Sequence, residues 1–96
     1  MAEFIYLTHP LRDGFFEEPT PLETSVMEEH FQYLKRATEA GRVILAGPCL
    51  DDTFGIVIMH AEDDSIANAF MFNDPAIKEN VMMAEIHPLR ISLKSQ

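Results

Sequence analysis

Two β-branched runs, Val43 to Leu45 (VIL) and Gly55 to Met59 (GIVIM), stand on either side of Asp51-Asp52-Thr53. That is the pattern of two strands joined by a tight hairpin. What lies on each side of this pair is helical, which leaves the chain few ways to fold. Upstream, Thr20-Pro21-Leu22-Glu23 reads as a helix start. The Thr hydroxyl can cap the first amides, Pro suits the first turn, and Glu at the third position completes a capping box. The helix is predicted to run to Ala40, with Gly41 supplying the left-handed residue that ends it. Downstream, Asp63-Asp64-Ser65 caps a second helix whose inward stripe is Ile66, Ala69 and Phe70, and Pro75 breaks it. A strand at Glu3 to Thr8 (EFIYLT) ends at His9-Pro10, and a last strand covers Met83 to Leu93 with a bend at Pro88.

The order is therefore β-α-β-β-α-β, within a single domain over residues 1–96. Its common solution is α+β: two right-handed split βαβ units that make a four-stranded antiparallel sheet with both helices on one face, the ferredoxin-like fold. The other sheet face still needs cover. Phe54, Ile56 and Ile58 alternate with Val57 and Met59, so both sides of the middle strand are apolar. A second copy of the chain is the simplest cover, which predicts a homodimer packed through its sheets; a merely half-exposed face is the alternative. Residues His9 to Thr20 (HPLRDGFFEEPT) carry no period and form a loop. At this length it either covers a pocket or is disordered.

Composition excludes several partners. A net charge of −9 repels phosphate backbones and anionic lipid, so no nucleic acid is expected. No apolar run approaches the roughly 20 residues that span a bilayer, so no membrane partner is expected either. The opening Met-Ala-Glu-Phe-Ile-Tyr has an acid where a secretory signal has bases, which predicts a cytoplasmic protein. Cys49 is the single cysteine, leaving no intramolecular disulfide and no multi-cysteine metal site.

The first helix holds the main chemical candidate. His30 has Val26, Met27, Tyr33, Leu34 and Ala37 at offsets of three, four and seven, so its imidazole faces the sheet rather than solvent. Imidazole is the ordinary acid/base group near neutrality, and a buried one needs an acidic partner to support its charged form. A core histidine with one hydrogen bond is the competing interpretation. Asp74 is the best partner. It falls at the end of the second helix on the face shared with Ala67, Phe70 and Met71, where the negative end of the helix dipole calls for compensation. Asp74-Pro75 is equally an ordinary cap pair that starts another short turn of helix.

Other candidates carry weaker signals. Arg90, one of few cations, is a candidate to hold a substrate carboxylate, with a strand-surface ion pair as its alternative, and Tyr6 is a similar case. His9, His60 and His87 lie on loop and strand positions without HxH or HExxH spacing, so no metal is expected. Cys49 has no neighbouring base and reads as a packed thiol, and the six Met residues read as sheet and interface filler. No glycine-rich phosphate loop is present, and no cofactor is expected.

Four stretches have a familial look: His30-x-x-Tyr33-Leu34; Gly41-Arg42-Val43-Ile44-Leu45-Ala46-Gly47-Pro48; Phe72-Asn73-Asp74-Pro75; and Glu85-Ile86-His87-Pro88-Leu89-Arg90. Together they resemble the YCII-related (YciI-like) family of small bacterial proteins, from about His30 to the C-terminus and more weakly across the first strand and the long loop. The resemblance implies a ferredoxin-like fold, a dimer of the α/β-barrel type similar to muconolactone isomerase, and a His/Asp-centred site. Carried over by residue, the histidine falls on His30 and the aspartate on Asp74. A dehydrochlorinase relative implies proton abstraction and elimination on a cyclic substrate.

Two functions follow. In one, His30 exchanges a proton and Asp74 fixes its tautomer, for isomerisation or elimination on a small cyclic or unsaturated organic acid. In the other, the same pocket belongs to a non-catalytic dimeric ligand-binding module. A polar enclosed cavity reaching both residues favours chemistry, whereas one closed by packed Met and Phe favours binding.

Overall fold

The computed structural model describes residues 1–95. Strands β1 (Ala2–Pro10), β2 (Val43–Pro48), β3 (Gly55–Ala61) and β4 (Met82–Leu89) form one antiparallel sheet in the order β2-β3-β1-β4. Helices α1 (Pro21–Glu39) and α2 (Asp64–Phe72) provide the two crossovers, and a short helix, α3 (Pro75–Lys78), precedes β4. This is the ferredoxin-like α+β topology expected from the element order.

Local chemistry sets the ends of these elements. Thr20 and Glu23 form the reciprocal capping box of α1, and Gly41 takes φ +80° just past Ala40. Asp63 caps α2 by accepting from the Ile66 amide. The strands depart from the expected spans for physical reasons. β1 continues through His9 and Pro10 because Met83 and Met82 of the edge strand β4 still pair with them, although β3 stops at Thr8. β4 ends at Leu89 rather than Leu93, since Leu89 already pairs with Glu3 and the partner strand is nearly used up. Pro88 is accommodated because β4 is an edge strand. The β2–β3 connection is a six-residue loop rather than a tight hairpin. It is closed by Cys49 N–H donating to the Phe54 carbonyl, and Asp52 takes φ 64°. Phe54 therefore lies just outside β3.

Alternation along the strands separates two faces. Phe4, Tyr6 and Thr8 of β1 and Val57, Met59 and Ala61 of β3 are buried beneath the helices. The inward stripe of α2 is Ala67, Phe70 and Met71; Ile66 and Ala69 are exposed, one residue out of phase with the expected stripe. Beneath the helices the interior is divided. One cluster holds Tyr6, Leu34, Met59 and Phe70, and the other holds Phe15, Val26, Ala76, Val81 and Met82. The opposite sheet face carries Ile5, Leu7, Ile56 and Ile58, only half buried within the chain.

The segment from Leu11 to Thr20 is ordered by one side chain. Arg12 donates from Nε and Nη2 to the two Glu23 carboxylate oxygens at 2.7 Å each, and also reaches the Asp13 and Glu18 carbonyls. The loop is thereby pinned to the first turn of α1. Phe15 enters the second cluster and Phe16 is left at the surface.

Candidate active site

Val26, Leu34 and Ala37 are buried on one face of α1, and the partly buried His30 stands on that face between Val26 and Leu34, four residues from each. Val26 belongs to one apolar cluster and Leu34 to the other, so His30 sits where the core divides. Asp74 lies in the same gap, between Met71 of the first cluster and Ala76 of the second. His30 Nδ1 is 2.6 Å from Asp74 Oδ1, with the histidine side chain 15% exposed and the aspartate fully buried.

A fully buried carboxylate is stable only when its oxygens are bonded. Oδ1 also accepts the Ala76 amide at 3.0 Å, and Oδ2 accepts the Tyr6 hydroxyl at 2.8 Å. The cap and partner interpretations of Asp74 are thus the same geometry: Asp74 is the N-cap of α3 and bonds His30 with the same oxygen. The expected strain at the end of α2 does not arise, because Asn73 is the C-cap of that helix and Asp74 already begins the next. An ionised carboxylate only accepts, so Nδ1 carries a proton; in the neutral ring this leaves the Nε2 lone pair unused.

Tyr6 lies behind the site rather than on its wall. It is wholly buried, and its hydroxyl donates to Asp74. Burial first, and the Asp74 charge second, push its phenol far above the ordinary value, so it remains a proton donor to Asp74. Tyr33, which donates to the Phe70 carbonyl at 2.7 Å, is pushed up to about 12 by burial and then by Asp74. Arg90 is not brought to this group. It is exposed beyond the end of β4, where Leu89 pairs with Glu3, at the opposite end of β1 from Thr8 and Pro10. His9, His60 and His87 face carboxylates on the open sheet face, and no cluster of three metal-ligating side chains occurs among the described residues.

His30 also lines a cavity of about 700 Å³ between α1 and the β2–β3 loop. Its walls are mostly apolar, with Met27, Phe31, Leu34 and Phe54 among them, and Phe16 from the Arg12-pinned loop closes one side. The cavity reaches His30 but not Asp74, which lies behind the ring. Cys49 is half buried on the same wall, and Thr8 contributes from β1. The sequence reading missed Thr8 and Phe16. The Phe4/Tyr6/Thr8 alternation was the available signal for the first, and nothing local marked the second.

A family model of the YCII-related domain matches residues 10–90 of the chain. A solved structure with the same fold is the 5-chloro-2-hydroxyhydroquinone dehydrochlorinase of Burkholderia phenoliruptrix AC1100, in complex with 2,5-dihydroxybenzoquinone. It is 20% identical, with a TM-score of 0.67 over 91% of this chain and 93% of that one. No curated protein matches. No helix among the described residues is long and apolar enough to cross a membrane.

Proposed function

The chain belongs to the YCII-related domain family, and from that membership and the site geometry we propose that it is a cofactor-independent enzyme acting on a small cyclic or unsaturated organic acid by elimination or isomerisation. The observation that carries this is the Asp74-bonded imidazole of His30 in the wall of a cavity large enough for a ring compound. His30 Nε2 takes or returns the proton, and Asp74 holds Nδ1–H and stabilises imidazolium as it forms. Tyr6 and the Ala76 amide hold Asp74, so the carboxylate keeps one orientation throughout. The dehydrochlorinase with this fold is the reason to begin with elimination. We further propose that a second copy covers Ile5, Leu7, Ile56 and Ile58, which gives a homodimer of the α/β-barrel type.

The test is turnover of halogenated hydroxyquinols, starting with 5-chloro-2-hydroxyhydroquinone and read as chloride release, beside proton exchange into ring ketones read by NMR. His30→Gln should lower kcat by about 10²-fold or more with the fold intact. An active wild type with an equally active His30→Gln variant would falsify the proposal. The apolar walls favour a second function, a binding module of the same fold. It predicts no turnover and an unchanged Kd for 2,5-dihydroxybenzoquinone in His30→Gln.

A further inference from the structure

An acid/base group at one point of an apolar wall does not orient a ring. Among the described residues, three polar or charged side chains are buried: Thr8, Glu23 and Asp74. Arg12 and the Thr20 amide bond the oxygens of Glu23, while Tyr6, His30 and the Ala76 amide bond those of Asp74. Thr8 is different. It is 4% exposed, and its hydroxyl has no protein partner among the described residues. No fully occluded side-chain oxygen or nitrogen there lacks a partner, so this hydroxyl is not sealed in the core. Thr8 lines the cavity that His30 also lines. A hydroxyl that opens on a cavity and has no protein partner is free to bond an oxygen of a ligand there.

Gly55 makes the same point from the facing strand. It pairs directly with Thr8, and a Cβ built on it would lie 2.7 Å from Thr8 Oγ1. Its φ is outside the left-handed region, so backbone conformation does not require glycine here. The hydroxyl's space does. A residue with a side chain at position 55 would crowd the hydroxyl of Thr8, the one polar side chain that the strands contribute to the cavity lining among the described residues.

We infer that Thr8 is a substrate-binding residue whose hydroxyl holds an oxygen of a largely apolar ring, a phenol, enol or ring ketone, while His30 exchanges a proton elsewhere on that ring. The inference rests on the acid/base function of the His30–Asp74 pair. Threonine donates to a ketone oxygen or accepts from a phenol, so one hydroxyl serves both the substrate and its tautomer. Phe31, Leu34 and Phe54 supply the apolar contact for the ring.

The experiment titrates 1-naphthol and its isosteric hydrocarbon 1-methylnaphthalene into the whole protein, with binding read by amide NMR shifts around the cavity. Thr8→Val keeps the shape and removes the oxygen. It should weaken 1-naphthol about tenfold and leave 1-methylnaphthalene unchanged, with Thr8→Ser close to wild type and Gly55→Ala behaving like Thr8→Val. Equal weakening of both probes, no weakening of 1-naphthol, or no 1-naphthol binding beside His30 would each overturn the inference. His30→Gln separates the two ideas. If it leaves turnover unchanged while Thr8→Val still distinguishes the probes, the acid/base function fails and Thr8 remains an oxygen anchor for a binding module. If it abolishes turnover while Thr8→Val treats both probes alike, Thr8 fails alone.

Discussion

Replacing Tyr6 by Phe removes one oxygen and keeps the ring that packs 6.4 Å from Phe70 between centroids. The loss is concentrated on one atom. Among the described residues, Tyr6 is the only donor to Asp74 Oδ2, whereas Oδ1 has both His30 and the Ala76 amide. Because Asp74 is fully buried, water cannot replace the missing donor without opening the core. Hydrogen bonds to charged groups contribute about 1.5–3 kcal/mol, so a loss of about 2 kcal/mol is expected. For a domain of this length, about 1 kcal/mol moves Tm by about 4–8 °C, which puts the shift at roughly 8–16 °C. Urea unfolding and calorimetry at fixed protein concentration measure it, since self-association would otherwise move the midpoint. The cause is isolated by repeating the substitution in Asp74→Asn, where Tyr6→Phe should cost less and leave a coupling of about 1 kcal/mol or more. A loss under about 0.5 kcal/mol in the single variant, or no coupling, would refute the view that Tyr6 supports a charged Asp74.

Acid stability is the second expectation. The Arg12 guanidinium, and then the Thr20 amide, hold the Glu23 carboxyl down to about 2 from an ordinary 4.5. A depressed folded value means the contribution is present above pH 4.5 and is lost as pH falls towards 2. Glu23→Gln should therefore flatten the stability slope in that window, and parallel slopes in urea titrations would contradict it. Sedimentation at micromolar concentration should show two copies of the chain, with Ile58→Lys shifting them to one; a wild-type monomer would end the sheet-face proposal. Elemental analysis should find no stoichiometric zinc or iron, and about one tightly held metal per chain would overturn that expectation.

The order of elements was legible because each boundary had its own chemistry: the Thr20–Glu23 box, the glycine after Ala40 and the Asp63 cap are all local signals. His30 was legible as an imidazole in an apolar stripe, and Asp74 as a carboxylate at the end of the second helix on the face of Ala67, Phe70 and Met71. Strand ends were not, because they depend on partners: β4 stops where β1 runs out, which no property of residues 90–93 records. Thr8 was hidden for a related reason. A threonine in a strand is explained by β-propensity alone, and its unpaired hydroxyl exists only once Gly55 has been placed opposite it. Arg12 was equally hidden, since its two bonds to Glu23 cross a loop with no period of its own.

The position of Asp74 behind the imidazole divides the site into two parts with different failure modes. Of the four polar residues His30, Asp74, Tyr6 and Thr8, His30 and Thr8 line the cavity, whereas Asp74 and Tyr6 do not and act through His30. Asp74 also starts α3 through the Ala76 amide and ties that turn to β1 through Tyr6. Any substitution of Asp74 therefore changes the imidazole and the local fold together, and a loss of activity in Asp74→Asn would not by itself separate orientation from stability. His30 has no such second duty. Its Nδ1 bond to Asp74 is its single protein hydrogen bond among the described side chains, and Asp74 keeps Tyr6 and Ala76 when His30 is replaced. A buried pair that loses one member is most damaged when the survivor is left without donors. Here the survivor keeps two, so His30→Gln is the substitution that probes chemistry with the least cost to folding.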